Sequence, residues 1–470
     1  MKHHLAPWGI GELPAPLPFN FRNALRTIGP GAILLATSIG GGEWLVGPAL
    51  GVAHGAGLMW VATVAILLQV LFNLEGIRYT LYTGEPAVVG IMRLRPGSRF
   101  WGGLYTLLTV AQLGMPALAA ACSSVVFAAF MGRMPGAPDA GSLTWITYGI
   151  MAVTVAILAG GGTIERMLER ASWAMIAFIF VFLLVVNVFF VPAANWARTA
   201  AGFVQFGYLP AGADMVLLAT LAATAGSGGI GNLVISNWVR DKGFGMGGAV
   251  GAIPSAVGGR DVTLSHVGMV FPVTPSNLER WRLWWRYVNI DQVWLWGLGC
   301  FLGMFLNVNL ATAIVPKGTD LSAIGAGAFQ ARYLAEHAWS GFWVLALLNG
   351  FWILFSTHLG NTDTLVRTVT DIAWVAAAGR SRYSVTRIYY SLLAVFTVWG
   401  AFAANWGTAM TLFKALGVIA GPIFALASIQ LLLVNTRLLP AELRPPVWRR
   451  IGLVLCAVFY LGMMVLALRG

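Results

Sequence analysis

GPGAILLATSIGGGEWLVGPALG, running from Gly29 to Gly51, is the stretch that decides the fold. It is apolar and long enough to cross a bilayer, which takes about 20 residues. Its middle holds Gly40, Gly41 and Gly42, followed by the carboxylate of Glu43. Each glycine weakens a helix by about 1 kcal/mol relative to alanine, and a carboxylate at membrane depth adds a further cost. Such broken spans occur where they line a cavity, so the stretch predicts a transporter's binding site.

The composition is that of a membrane protein. The chain has 470 residues, of which 58% are hydrophobic and 10% are charged, and its mean hydropathy is +0.77. A soluble protein carries about 25% charged residues, so we predict an all-α integral membrane protein with a single domain over 1–470. The net charge of +12 does not indicate nucleic-acid binding, because the basic residues fall in short loops between apolar segments.

Hydropathy predicts eleven spans and an orientation. The spans lie near 28–52, 57–80, 101–131, 143–160, 171–191, 214–239, 291–315, 340–376, 386–403, 407–435 and 450–468. Of the 29 Lys and Arg residues, those expected outside are Arg133, Arg198, Lys317, Arg332 and Arg469. Because basic residues concentrate in cytoplasmic loops, we predict that the N-terminal segment, 1–27, is cytoplasmic. We expect the protein to lie in the inner or plasma membrane of a cell.

The sixth span repeats the pattern of the first. Ser227 is followed by Gly228 and Gly229, and then Gly231 and Asn232 precede an apolar half-helix. Broken spans at matching positions of two five-span halves indicate inverted repeats with a binding site at the breaks. The predicted parts are the repeats 28–191 and 214–435, the cytoplasmic loop 241–290 within the second repeat, and the eleventh helix 450–468.

The residues predicted to bind the substrate are glycines and polar side chains at the breaks or at a similar depth. They are Ser38, Gly40, Gly41, Gly42, Glu43, Gln112, Gly226, Ser227, Gly228, Gly229, Gly231, Asn232, Thr357, His358 and Lys414. The candidates for coupling or gating are Glu43, Arg78, Asp363 and Arg367. Glu43 is an intramembrane acid, which indicates function, although a carboxylate at the start of a helix is also a stabilising cap.

The other charged candidates have structural alternatives. Asp363, Arg367 and Asp371 are spaced i, i+4 and i+8, which fits an ion-paired helix face as well as a gate. Arg78 lies one turn after Glu75 near the inner end of the second span, so a gate and a simple ion pair both fit.

Three polar candidates and one motif also have ordinary explanations. Lys414 either faces an anionic substrate or extends to the outer surface. His358 is a ligand or a buried core histidine, and Gln112 lines a cavity or links two helices. The sequence GSGGIG at 226–231 matches a dinucleotide fingerprint but follows no strand, so we expect no cofactor.

A resemblance to a known family rests on three motifs. Gly29-Pro30-Gly31 precedes the first break, Asn232-Leu233 follows the second, and the tenth span reads VIAGPIFALASIQ around a proline. Together with eleven spans, these motifs resemble the Nramp metal-ion transporters over most of the chain. The resemblance implies a LeuT-like fold with two inverted five-helix repeats and an eleventh helix.

The metal-binding motifs of that family are changed. Where the family carries Asp-Pro-Gly-Asn, this chain has Gly40 to Glu43, and where it carries Met-Pro-His, this chain has Gly229 to Gly231. The family's glutamine before the tenth-span proline aligns with Ala420. The side chains that hold a bare transition metal in the family are therefore missing here, apart from one oxygen ligand at Glu43.

These changes predict a changed substrate. Glycines offer space and backbone N–H groups at helix starts, which bind anions. We therefore predict a secondary transporter, proton-coupled, for a small polycarboxylate or a metal–carboxylate chelate such as a citrate complex. The alternative is transport of free Mg²⁺- or Mn²⁺-like cations with Glu43 as a metal ligand, and a third is a membrane receptor that does not transport. No grouping of nucleophile and base stands out, so we predict no enzymatic activity.

Overall fold

The structure is a computed structural model, and it describes residues 5–160, 163–256, 263–321, 327–337, 339–377 and 382–469. Some parts of the predicted organisation lie outside the described residues, namely 1–4 of the N-terminal segment, 161–162 of the first repeat, 257–262 of the loop 241–290, and 322–326, 338 and 378–381 of the second repeat.

Ten helices in the described part of the chain are long and apolar enough to cross a membrane. They are Pro30–His54, Ala56–Thr83, Ser98–Met131, Ala137–Ala159, Ile164–Phe190, Pro275–Ile314, Phe342–Ala377, Val385–Ala403, Ala409–Arg437 and Val447–Arg469. The shorter apolar helix Met215–Thr224 lies where the sequence predicts the sixth span. The predicted helical membrane architecture is confirmed, and the chain is a multi-pass integral membrane protein. We number the spans first to eleventh in chain order.

The first span changes helix type at its glycines but keeps one continuous direction. An α-helix over Pro30–Ser38 is followed by a π-helical turn over Gly42–Val46 and an α-helix over Gly47–His54. Ile39 and Gly41 keep right-handed helical dihedrals, so the chain direction is preserved through the glycines. Short π-helical turns inside membrane helices are frequent at functional sites.

The sixth span is the one with a true break. Its helices cover Met215–Thr224, Ile230–Leu233 and Ile235–Asp241. Between the first two, the φ angles of three glycines are positive, at +120° for Gly226, +85° for Gly228 and +49° for Gly229. Residues with a Cβ atom rarely adopt this region, so the glycines are what permits the break.

Two further spans differ from simple rods. The third is divided into Ser98–Leu113 and Ala117–Met131, because Pro116 lacks an N–H group and restricts the residue before it. The seventh begins with the helix Pro275–Asn289, continues through a π-helix over Ile290–Gly297 and ends with Leu298–Ile314. The sequence places 277–292 at the end of the cytoplasmic loop 241–290, either as an amphipathic helix at the inner interface or as one packed helix of a solvated loop. In the structure, Pro275–Asn289 is a continuous extension of the seventh span.

The connections contain short elements. The helices among them are Phe21–Thr27, Ala87–Met92, Ala193–Phe203, Gly247–Val250 and Phe329–His337. Three 3₁₀ turns cover Ala56–Met59, Ala137–Asp139 and Ala441–Leu443. The strands Gly9–Ile10 and Met269–Val270 pair in parallel, with Gly9 opposite Met269.

Segments predicted to be cytoplasmic meet at one end of the helical bundle. Arg93, after the second span, donates to the carbonyl oxygen of Ala6 at 3.0 Å. Gly268, in the long loop, donates its N–H to a carboxylate oxygen of Glu85 at 3.1 Å. The N-terminal segment and two loops are thus joined at the same end, which we call the predicted inner end. The orientation in a membrane remains a prediction.

Candidate functional site

The interruptions of the first and sixth spans touch. A Cβ atom on Gly42 would lie 2.2 Å from the carbonyl oxygen of Thr224, so a larger residue could not occupy this position without displacing backbone. Residues 39–45 are buried, and within 223–233 Ser227 alone is partly exposed. The two Gly-rich segments therefore meet inside the protein, shielded from both ends of the bundle.

The other two glycines of the triplet pack against different spans. A Cβ atom on Gly40 would lie 2.2 Å from the hydroxyl oxygen of Thr357 in the eighth span. A Cβ atom on Gly41 would lie 2.0 Å from the ring of Phe413 in the tenth. In this conformation, protein atoms fill the space that the sequence assigns to a substrate beside Gly40 and Gly41. The centre is therefore closed around the triplet.

Gln69 of the second span holds one side of the sixth-span break. Its amide donates to the carbonyl oxygen of Ala225 at 3.1 Å and accepts from the N–H of Ser227 at 3.2 Å. It also donates to the Tyr460 hydroxyl at 3.0 Å. Unpaired backbone groups inside a membrane protein are costly, so Gln69 stabilises the broken conformation.

Gln112 of the third span also stabilises the sixth-span break, on the side opposite Gln69. Its amide donates to the carbonyl oxygen of Gly228 at 2.9 Å and accepts from the N–H of Ile230 at 3.0 Å. The sequence predicts substrate contact for Gln112, and the structure brings it to the break, where its amide is committed to backbone. The N–H groups of Gly228 and Gly229 form no hydrogen bond within the part of the chain that the structure describes.

Glu43 lies between the two interruptions. It is fully buried, and neither carboxylate oxygen has a hydrogen-bond partner among the described residues. The backbone of Gly226 is adjacent to this carboxylate, and Gly303 of the seventh span faces its Cγ atom. A buried ionised carboxylate without a hydrogen-bond partner is strongly unfavourable, so a proton or a cation at Glu43 would be stabilising.

Two hydroxyl groups flank the same region. The Ser38 hydroxyl donates to the carbonyl oxygen of Leu34 at 2.6 Å and accepts from the Trp296 indole at 3.0 Å. The Ser227 hydroxyl is buried and has no hydrogen bond among the described residues, and it lies against Gly231. Ser38 is therefore a structural partner of the tryptophan in this conformation, whereas Ser227 is available to a ligand.

A row of side-chain amides begins at Asn232, just after the break. Asn232 donates to Asn73 at 2.9 Å, Asn73 donates to Gln292 at 3.1 Å, and Gln292 donates to Asp291 at 2.7 Å. All four side chains are fully buried. The Oδ1 atom of Asn232 remains without a partner in the described part of the chain. The row connects the candidate site to the π-helix of the seventh span.

Asp291 in turn fixes the start of the first span. Its carboxylate accepts from the N–H groups of Gly29 and Gly31 at 2.9 and 2.8 Å. These are two of the N–H groups that a helix leaves unpaired at its N-terminus, where a carboxylate is favoured. A Cβ atom on Gly31 would lie 2.2 Å from the Asp291 carbonyl oxygen, so the GPG motif permits this close contact.

Comparison with known proteins identifies the architecture. Neither protein-family models nor curated proteins gave a match. A structure of the manganese transporter of Eremococcus coleocola superposes with a TM-score of 0.67 at 16% identity, covering 97% of this chain and 89% of that one. The chain has a LeuT-like fold. The predicted inverted-repeat architecture is thereby confirmed.

Two other structures agree with this LeuT-like fold. The same E. coleocola transporter in complex with an aromatic bis-isothiourea substituted compound gives a TM-score of 0.64 at 15% identity, covering 98% of this chain and 90% of that one. MhsT in complex with L-phenylalanine gives 0.52 at 13% identity, covering 93% of this chain and 98% of that one.

Two of the gating candidates, Asp363 and Arg367, lie in a buried ion-pair cluster at the predicted inner end of the LeuT-like fold. Arg367 pairs with Asp363 at 2.8 Å and also contacts Asp241 of the sixth span. Arg240 pairs with Asp241 at 2.7 Å and with Asp371 at 2.6 Å. The i, i+4, i+8 ladder is thus an ion-paired face, and it connects the eighth span to the sixth.

The remaining predicted residues lie away from the breaks. Lys414 pairs with Asp214 at 2.8 Å at the start of the sixth span. Arg78 pairs with Glu75 at 2.8 Å near the end of the second. His358 lines a separate small cavity between the third, fourth, eighth, ninth and tenth spans. The hydroxyl of Thr357 does reach the first span, where it contacts the Ala36 carbonyl oxygen at 3.3 Å.

Sequence reasoning missed several residues that shape the site of this LeuT-like fold. They are Gln69, Asn73, Asp291, Gln292, Phe413, Arg240 and Asp241. Gln69 and Asn73 carried a signal, because they are polar residues four positions apart in an otherwise apolar span and so share one helix face. Phe413 carried none, since an aromatic residue in a membrane helix is ordinary.

Proposed function

We propose that this protein is a secondary active transporter for a small polycarboxylate, alone or as a metal chelate of the citrate type, coupled to protons through Glu43. The observation that carries the proposal is the juxtaposition at the sixth-span break. The N–H groups of Gly228 and Gly229 lie in this break and have no hydrogen-bond partner among the described residues. Gly226 lies in the same break, and its backbone is next to the Glu43 carboxylate, which also has no partner there.

The glycine N–H groups supply the anion-binding part of this proposal. Successive backbone N–H groups in a turn can form a concave nest that binds carboxylate and phosphate oxygens, and the positive φ angles of Gly228 and Gly229 place such a turn here. Gln112 holds the neighbouring N–H of Ile230 and the carbonyl of Gly228, so the nest is rigid before a ligand arrives. Preorganised donors bind more tightly because less freedom is lost.

Glu43 supplies the coupling. The charged side chains of Lys414 and Arg367 are engaged in ion pairs elsewhere, so neither neutralises an anion beside Glu43. Two negative charges in a buried site repel. An anionic substrate therefore favours protonated Glu43, and a proton on Glu43 favours the substrate. This reciprocity is what coupled transport requires.

A second candidate function is transport of a free divalent cation. The unpartnered buried side-chain atoms at the site, on Glu43, Ser227 and Asn232, are oxygens, which are the ligands of hard cations. Among the described residues, no group of three or more His, Cys, Asp or Glu side chains is placed to hold a metal. A cation bound here would therefore keep part of its hydration shell. The E. coleocola structures of the same fold are named as those of a manganese transporter.

A thermal-shift experiment separates these candidates. Purified protein is heated with MnCl₂, with MgCl₂, with citrate, and with citrate and each metal together. A ligand at about 100 times its dissociation constant stabilises the native state by about 2.7 kcal/mol. We expect a raised Tm in every sample that contains citrate, with sodium sulfate of equal ionic strength as control. If the metals alone raise the Tm and citrate does not change it, the polycarboxylate proposal is refuted in favour of a free cation.

Transport itself requires sealed vesicles. Radiolabelled citrate should accumulate in proteoliposomes above the level of empty liposomes, and an imposed inward proton gradient should increase it. Citrate binding without accumulation in either condition would instead make the protein a receptor.

Glycine substitutions at the centre test the site directly. We expect Gly41→Val and Gly229→Val to reduce citrate accumulation to about a tenth or less, because overpacking costs about 1–3 kcal/mol. In the first variant the side chain would overlap Phe413, and in the second it would meet Gln112 at a positive φ. Gly149→Val is the matched control, since a Cβ atom there meets nothing within 4 Å. Normal accumulation in both site variants would place the substrate elsewhere.

A further inference from the structure

A second cavity lies at the end of the bundle predicted to face outside. It has a volume of about 300 Å³ and is bounded by the end of the first span, the helix Ala193–Phe203 and the end of the seventh span. Its polar lining consists of Asn195, Arg198, Thr199, Thr312 and Lys317. The first span rises about 1.5 Å per residue, so the lining residues Gly51 to Gly55 lie about 12–18 Å along the span from Glu43, and the cavity is distinct from the site at the breaks.

The cavity brings together two basic side chains that form no ion pair in the described part of the chain. Among the basic residues predicted to lie outside, Arg133 pairs with Asp139 and Arg332 pairs with Glu336. Arg198 and Lys317 form no ion pair within the described ranges, and both face this cavity. Its lining contains no acidic residue. Two cations distant in sequence are thus brought to one concave surface without a counter-charge.

The floor of the cavity is ordered by buried hydrogen bonds. The Asn195 amide donates to Asn309 Oδ1 at 3.0 Å and to the Thr312 hydroxyl at 3.1 Å. The Thr199 hydroxyl donates to the same Asn309 oxygen at 3.0 Å, and Asn309 donates to Asn187 at 3.0 Å. These contacts fix the helix that carries Arg198 against the seventh span. The backbone position of Arg198 is therefore set by a packed helix, and its exposed side chain donates through Nε to the Ala194 carbonyl oxygen at 3.3 Å.

We propose that this cavity is a binding site for a small oxyanion, a carboxylate or phosphate group. A guanidinium binds such groups through two parallel N–H bonds, and an ammonium adds a second, adjustable charge. The volume is at the lower end of the range for small-molecule sites. The same chemistry is presented by a free anion and by the headgroup of an anionic lipid. The proposal does not depend on the transported substrate, because the cavity is separate from the breaks.

Lysine acetylation tests the site at residue level. Protein in phosphatidylcholine nanodiscs is treated with an acetylating reagent, and modification of Lys317 is followed by mass spectrometry. Inorganic phosphate at about three times its dissociation constant should slow the reaction about fourfold, since three quarters of the sites are then filled. Lys414, which is partly exposed and paired with Asp214, is the internal control and should be unaffected.

A variant and a lipid exchange complete the test. Arg198→Gln should remove the protection of Lys317 by phosphate, whereas Arg332→Gln should retain it. If phosphatidylglycerol nanodiscs protect Lys317 without phosphate, and Arg198→Gln abolishes that protection, the ligand is a lipid headgroup. Protection by phosphate alone identifies a free anion. Equal acetylation of Lys317 in all these conditions would overturn the proposal.

Discussion

Arg367→Met should lower the free energy of unfolding by about 3–5 kcal/mol, the usual cost of leaving a buried charge without its partner. The Arg367 side chain is fully buried, as are the Asp241 and Asp363 carboxylates that it contacts. Asp363 also accepts from Trp238 at 2.8 Å and from Tyr389 at 2.7 Å, but these neutral donors do not replace the lost charge. Asp363 would then have no cationic partner, and Arg240 alone would pair with Asp241 and Asp371.

The measurement is the Tm of purified variant and wild type, followed by tryptophan fluorescence in the same detergent. Arg332→Met is the matched control, because Arg332 and Glu336 form an exposed i, i+4 pair worth about 0.3–0.5 kcal/mol. Arg367→Lys should recover part of the loss by restoring the charge without the second N–H bond. If Arg367→Met and Arg332→Met have the same Tm, the ion-pair cluster does not stabilise the inner end.

Glu43→Gln should abolish the stimulation of citrate accumulation by a proton gradient while citrate binding persists. The amide has the size and neutrality of a protonated carboxyl, so the variant retains the form that accepts an anionic substrate. Wild-type binding should strengthen as pH falls from about 8 to about 5.5, because the substrate and the proton favour each other. Binding by the variant should be flat over the same range.

The opposite pH dependence of ligand binding would identify the protein as a cation transporter. If Glu43 ligates a divalent metal, protons and metal compete, so wild-type binding should strengthen as pH rises. Glu43→Gln should then weaken metal binding at every pH. Unchanged affinity and pH dependence in Glu43→Gln would leave Glu43 as a helix cap.

The fold followed from sequence because its determinants are local. Hydropathy locates each span. The glycine clusters around Gly41 and Gly229 mark the interruptions, because several glycines close together destabilise a helix. The division of the third span carried a similar signal in Gly114-Met115-Pro116, which apolar neighbours concealed. The continuity of Pro275–Asn289 with the seventh span was not readable, because its tryptophans suit a membrane interface as well as a packed helix.

The site was less predictable because it depends on which spans meet. Nothing local indicates that Gln69 and Gln112 pair with the backbone of a break more than a hundred residues away. Nothing local shows that Phe413 covers Gly41. Lys414 is charged, intramembrane and near a proline, which suggested a ligand contact, yet its partner in the structure is Asp214. Tertiary packing decides these pairings.

The row of amides that ends at Asp291 has a definite polarity. Each member uses its NH₂ group toward the next, and the final carboxylate accepts from Gln292, Gly29 and Gly31. An amide in the middle cannot reverse alone, because two oxygens or two NH₂ groups would then face each other. The carboxylate thus dictates that the atom of Asn232 left without a hydrogen-bond partner in the described part of the chain is its oxygen. The first span's anchor thereby sets a preference for hydrogen-bond donors or cations at this position of the site.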